Sequence, residues 1–160
     1  MKKYLLTAIT FLVIGFVAAT LILLLKGPSM MMLEDQSRFD FEKTVSGLED
    51  IAKAHGWSVP TVHNLQKSME KAGHEVNEVK VFALCNPNHA INILQGDEER
   101  VVSSMMPCRV AVYVKADGKT YISRMNSKMM SKGMNKNVRL TMKSAFMEME
   151  EILSKLVITD

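Results

Sequence analysis

The chain opens on a run with no polar–apolar period at all. Residues 4–25, YLLTAITFLVIGFVAATLILLL, hold 22 uncharged positions. As a helix at about 1.5 Å per residue the run is about 33 Å long, enough to cross a hydrocarbon core of about 30 Å. A cleavable signal peptide has a shorter apolar region, about 7–15 residues, that ends at a small-residue site. Here VAAT sits inside the run and further apolar residues follow it. The pattern predicts an uncleaved signal-anchor over residues 1–26. Lys2 and Lys3 precede the run, Lys26 alone follows it directly, and acidic Glu34 and Asp35 come soon after. That asymmetry predicts a cytoplasmic N-terminus, with residues 27–160 on the other side of the membrane.

Residues 27–37, GPSMMMLEDQS, contain Gly-Pro, polar residues and no sustained period, the pattern of a linker. Periodicity returns over 38–160. In FDFEKTV, Phe39 and Phe41 alternate with polar neighbours and predict a first strand. Ser46 and Glu49 have capping-box spacing, which predicts a helix starting there, with Val45, Leu48, Ile51 and Ala52 as its buried stripe and Gly56 at its end. WSVPTV, 57–62, reads as a short strand that Pro60, lacking an N–H, sends to a sheet edge. NLQKSMEKAG reads as a short helix stopped at Gly73. VKVFALC, 79–85, is apolar enough for a strand buried on both faces.

Asn86 then suits an N-cap and Pro87 the first helical position, so PNHAINIL should form a helix that buries Ala90, Ile91 and Leu94 and ends before Gly96. GDEER, 96–100, reads as an exposed turn. In CRVAVYVKADGKTYISRM two alternating runs flank Ala116-Asp117-Gly118, a hairpin with glycine available for positive φ. Val138, Met142, Ala145, Phe146, Met149, Ile152, Leu153 and Leu156 recur on one face of a closing amphipathic helix. The fold class is α+β: an antiparallel sheet covered by helices, behind one membrane anchor.

Composition sharpens this picture in one respect. The chain has 160 residues, room for one domain with a real core, and a net charge of +3. Without Lys2, Lys3 and Lys26, 17 basic residues face 17 acidic ones. The surplus belongs to the flanks of the anchor, and a neutral domain offers no electrostatic footprint for nucleic acid. A Gly-rich phosphate loop, His-Glu-x-x-His and Gly-x-Ser-x-Gly are all missing from the sequence.

GWSVP, LCNPNHA, MMPCRVAVY and DGKTYISRMN together resemble the family known as domain of unknown function 302, over about residues 38–157. The resemblance implies a TBP-like fold, in the order strand, helix, four antiparallel strands, helix. It also implies homodimers, and it implies no activity. Two features depart from the family picture: the anchor, and the short helix from Asn64 to Ala72.

The candidate chemistry centres on the two cysteines, Cys85 and Cys108. If the strands over 79–85 and 108–115 are antiparallel neighbours, both thiols lie at one end of the sheet, under the helix that begins at Asn86. Four readings stay open. A disulfide needs Cα atoms within about 7 Å, would close a loop of about 23 residues worth about 3 kcal/mol, and fits an oxidising compartment. Two separate buried thiols would pack as small apolar groups. A redox pair is favoured by the helix N-terminus beside Cys85 and by Arg109 beside Cys108, although the spacing is not Cys-x-x-Cys.

A metal site would draw on Cys85, Cys108, His89 and Met106, since thiolate, thioether and imidazole together suit Cu(I). The chain has 14 methionines, but Met142 and Met149 already belong to the apolar stripe of the last helix. Asn86 and Arg109 complete the ligand-contact candidates. His63 falls at the opposite end of the meander from Cys85. His55 and His74 flank glycines at helix ends, where a cation complements the dipole.

The leading expectation is a membrane-anchored extracytoplasmic domain, not an enzyme, that binds a small ligand or protein partner without a cofactor. The rival is a thiol-redox or Cu(I)-handling protein centred on Cys85 and Cys108.

Overall fold

The computed structural model of the chain describes residues 2–158, without the side chains of residues 2, 3, 5–8, 23, 24, 26 and 28. In chain order it comprises α1 (Lys2–Met31), β1 (Met32–Gln36), α2 (Phe41–Ala54), β2 (Ser58–Asn64), α3 (Leu65–Lys71), β3 (Val79–Cys85), α4 (Pro87–Leu94), β4 (Cys108–Val114), β5 (Thr120–Met125), α5 (Ser127–Met130) and α6 (Lys136–Ser154). A 3₁₀ turn, Glu99–Met105, joins α4 to β4. The strands form one antiparallel sheet in the order β1-β5-β4-β3-β2. The α+β class and the antiparallel sheet covered by helices are therefore as expected, with α3 and α4 standing between successive strands.

The first strand is not where the Phe39 and Phe41 alternation predicts it. The Asp40 side chain accepts a hydrogen bond of 2.9 Å from the Lys43 N–H, so α2 starts at Phe41 and not at Ser46. Phe41 is buried inside that helix and Phe39 is exposed. The first strand lies earlier, in MLEDQ, within the predicted linker. MLEDQ has no alternating apolar pattern of its own. It is a strand because β5 offers it a free edge, with Met32 opposite Met125 and Gln36 opposite Tyr121. The linker over 27–37 is thus corrected: residues 27–31 end α1 and residues 32–36 join the sheet.

Other local predictions hold. Pro60 lies in edge strand β2, at a break in the pairing between Ser58 and Thr61. Asn64 caps α3 by accepting from the Lys67 N–H. Gly118 turns the β4–β5 hairpin at φ +74°, where a Cβ would be strained. β3 is buried on both faces only over Phe82, Ala83 and Leu84; Val79–Val81 are half-buried.

One face of the sheet carries the core. Phe82 opposes Val110 and Val112 opposes Ile122, so these residues share a face. α2 covers it with Leu48 and Ala52, and α6 with Met149, Ile152 and Leu153. Arg124 also points into this face and is only 7% exposed. Its guanidinium donates to both Glu150 oxygens, at 2.7 and 2.6 Å, and to Asp35. The group therefore ties β1, β5 and α6 together with its charge satisfied on both sides. α4 buries Ala90 and Ile93, while Ile91 and Leu94 are exposed. The expected stripe is rotated because Ile93 packs with Val102 of the 3₁₀ turn and Val138 of α6.

α1 meets the domain at its C-terminal end. The Asn126 N–H donates to the Met31 carbonyl at 2.7 Å, and the Asn126 amide to the Met30 carbonyl at 3.1 Å. Among the described residues no helix is long and apolar enough to cross a membrane. The span predicted over residues 4–25 takes in side chains, those of residues 5–8, 23 and 24, that lie outside the described residues.

Candidate functional site

Three strand ends meet beneath α4 and α6: the end of β3 at Cys85, the start of β4 at Cys108 and the end of β5 at Met125. α4 begins at this point because Asn86 and Pro87 are a cap and a preset φ. The Asn86 side-chain oxygen accepts from the Asn88 N–H at 3.0 Å. The helix then crosses the strand ends and rests on α6. Between them lies a cavity of about 70 Å³, walled mainly by apolar side chains such as Leu84, Ile93, Val110 and Phe146.

Every residue singled out for chemistry borders this cavity: Cys85, Asn86, His89, Met106, Cys108 and Arg109. They do not combine as a disulfide. Cys108 stands opposite Leu84, and Cys85 stands opposite Ser58 of β2. The cysteines are one register step apart, and successive strand residues point to opposite faces. Both thiols are free, which corrects the disulfide expectation.

The surroundings of Cys108 lend the redox expectation no support. Burial, and after it the nearby Cys85 sulfur, push the Cys108 thiol up to about 11. Arg109 is exposed and alternates away from Cys108 across the pleat, so it does not supply the compensating charge. Among the described residues no group of three or more His, Cys, Asp and Glu side chains could hold a metal ion. Met105 and Met106 border the same cavity as the two cysteines.

His89 turns toward a residue with no place in the sequence reading. Glu148, on α6, holds one oxygen 2.8 Å from the His89 Nε2; the contact is close but not aligned as a hydrogen bond. The other Glu148 oxygen accepts from the Trp57 Nε1–H at 3.1 Å and from the Asn86 amide at 3.3 Å. The Trp57 and His89 rings lie 5.9 Å apart and inclined at 50°. One carboxylate thus gathers an indole, an amide and an imidazole from the start of β2, the β3–α4 junction and α4. The only sequence signal is that Glu148 adjoins Met149 at the polar edge of the buried stripe. Nothing local distinguishes it from Glu150 and Glu151.

The remaining histidines stay apart from the cavity. His63 pairs with Val81, well along β3 from Cys85. The His55 Nδ1 lies 2.8 Å from the Ile51 carbonyl at the end of α2, as expected for a helix terminus. In the 96–100 turn, Arg100 pairs with Asp97 at 3.2 Å on an exposed surface.

Comparison with known proteins places the fold. A solved structure, the crystal structure of an uncharacterized conserved protein DUF302 from Bacillus stearothermophilus, is 20% identical to the chain with a TM-score of 0.71. The match covers 79% of this chain and 98% of that one, and it carries the fold alone. No curated protein matches the chain. A family model described as domain of unknown function DUF302 matches residues 33–156, from β1 to just beyond α6, and the chain belongs to that family.

Proposed function

We propose that the domain is a binding module that takes a small, largely apolar ligand in the cavity between α4, α6 and the ends of β3, β4 and β5. The observation that carries this reading is the cavity itself. It is walled mainly by apolar side chains, and one side presents Trp57, Asn86 and His89, the three groups that Glu148 contacts. An apolar pocket with a few convergent polar groups is the usual form of a small-molecule site. Apolar atoms of the ligand would fill the cavity, and one polar group would face the cluster. Engineered apolar cavities of about 150 Å³ take up benzene or xenon, so about 70 Å³ fits an occupant of xenon's size.

Xenon and methyl-labelled methionine test this directly. Five methionines border the cavity, Met105, Met106, Met125, Met142 and Met149, while Met69 and Met147 are exposed elsewhere. Saturable shifts confined to the five, lost in Ala145→Leu, support the reading. Shifts that do not saturate, or that survive unchanged in Ala145→Leu, sink it. Trp57, the single tryptophan of the chain, gives an independent emission readout from the cavity wall.

A second reading is supported by sulfur. Two cysteines, five methionines and His89 border one cavity, and sulfur with imidazole is a donor set that suits Cu(I) over harder metals. Cys85 would be the charged ligand and His89, Met105 and Met106 the neutral ones. A Cu(I) titration against a competing chelator, run on the chain and on Cys85→Ser, distinguishes the two. Stoichiometric uptake lost in the variant favours the metal; no uptake leaves the apolar ligand.

The same proposal places the domain at a membrane, held by α1. From Ile9 to Ile22 the α1 side chains are exposed, Phe11, Leu12 and Phe16 among them. A helix apolar all round needs an apolar surrounding. With the N-terminus cytoplasmic, protease added to spheroplasts should remove residues 27–160. Full protection would reverse the orientation. Homodimer formation, tested by sedimentation, is a separate proposal.

A further inference from the structure

We infer that the end of the domain from which α1 emerges is a cationic face that rests on anionic lipid headgroups. This inference depends on the reading of α1 as a membrane anchor. From Gly118 to Met147 the sequence contains no Asp or Glu. Lys128, Lys132, Lys136, Arg139 and Lys143 fall in α5, the turn after it and the first half of α6, and all five are exposed. Elsewhere, Lys43, Lys53, Lys80, Lys115 and Arg100 each lie beside a carboxylate, while among the described residues Lys67, Lys71, Arg109, Lys119 and Lys155 form no ion pair but are scattered over other elements. Among the described residues, none of the five cations from Lys128 to Lys143 has a carboxylate within ion-pair distance.

The charge order along α6 runs against the helix itself. A macrodipole favours acids in the first turn and bases in the last. α6 has no acid in its first turn and no base in its last. Lys136 and Arg139 open it, and Glu148, Glu150 and Glu151 lie toward its end. Glu99 reaches the start of α6, where it accepts from the cap residue Asn135 at 3.1 Å, but it forms no ion pair with the five cations. An anionic surface beside the start of α6 would complement the charge that one acid leaves.

The fold puts that surface where α1 ends. Asn126, which caps α5, bonds the Met30 and Met31 carbonyls. The Ser127 hydroxyl lies 3.5 Å from the Met142 carbonyl, which brings the first half of α6 to the same end. The acidic half leads away, toward Val157 and its bridge to Ser37 just past the far end of β1. Lys136, Arg139, Leu140 and Lys143 recur on one side of α6, and Leu140 is 53% exposed. Basic residues around an exposed leucine are the pattern of a helix face at a membrane interface. Attraction to anionic lipid fades within about 8 Å at physiological salt, so only the face of the domain turned toward the bilayer would feel it.

Lysine acetylation of the full chain, read by mass spectrometry, tests the contact. The chain is placed in nanodiscs of phosphatidylcholine alone and of equal parts phosphatidylcholine and phosphatidylglycerol. The expected result is acetylation of Lys128, Lys132, Lys136 and Lys143 slowed about fivefold in the anionic discs, the factor that corresponds to the attraction per cation. High salt should remove the difference, and Lys67 and Lys71 on the exposed surface of α3 should show none. Equal rates in both discs, with the chain held in each, overturn the lipid contact and leave the anchor standing. A chain that neither disc retains overturns the anchor, and the lipid contact with it.

Discussion

Cys108 should be an unreactive thiol, and the margin can be worked from its surroundings. The side chain shares the core-facing side of the sheet with Leu84 and packs against the main core. Burial, followed by the Cys85 sulfur, raises its pKa from 9.0 to about 11. At pH 8 an ordinary thiol of that reference is about one-tenth ionised, and one with a pKa of about 11 about one-thousandth. Since only the thiolate reacts, ionisation alone slows native Cys108 about 100-fold relative to the denatured chain. Iodoacetamide labelling followed by mass spectrometry reads this at the single cysteine. The native rate should climb tenfold per pH unit from pH 8 to about pH 11, where the denatured rate levels near pH 9.

The same shift makes a stability claim of definite sign. The folded thiol holds its proton more tightly than the unfolded one. Its contribution is therefore fully present below pH 9 and is lost as pH rises toward about 11. Two pKa units correspond to about 3 kcal/mol. Urea melts of the full chain in micelles should show that loss between pH 9 and 11, and Cys108→Ala should lack it. A native alkylation profile that levels near pH 9, or equal alkaline losses in both proteins, would refute the burial of this thiol against the core.

Three further outcomes follow from the packing. Phe82→Ala removes a fully buried ring from the main core and should cost about 3–5 kcal/mol in a urea melt. Arg124→Met strands Asp35 and Glu150 at the seam of β1, β5 and α6; both carboxylates keep some solvent, so about 2–3 kcal/mol is expected, and Arg124→Lys should not restore it because the bidentate pair is lost. Asn86→Ala deletes the α4 cap and the amide bond to Glu148, and should cost about 1–2 kcal/mol while red-shifting Trp57 emission as that wall loosens.

How much of this was legible beforehand varies with the range of the cause. The β3–α4 junction could be read from Asn86 and Pro87 because a cap and a fixed φ act within a turn. The hairpin at Ala116–Gly118 and the edge position of Pro60 were readable for the same reason. The start of α2 was misread because two local signals competed. Phe39 and Phe41 alternate as a strand would, but the Asp40 side chain reaches the Lys43 N–H and the helix takes Phe41 inside. The buried stripe of α4 was misread by a rotation of the helix, which its contacts with Val102 and Val138 decide.

The sequence by itself determined which elements punctuated by caps, prolines and glycines would form, and that an uncharged run of 22 residues precedes them. It also brought Cys85, His89 and Cys108 under suspicion together. Tertiary structure alone decided three things. β1 exists because β5 has an edge to pair, not because MLEDQ looks like a strand. The cysteines stay free because Cys108 registers with Leu84, and a single step of register turns a side chain to the other face. Glu148 becomes the centre of the polar cluster because α6 crosses above the β3–α4 junction, bringing together groups up to 91 residues apart along the chain. Local signals act over a few residues, and pairing partners that distant are set only when the layers pack.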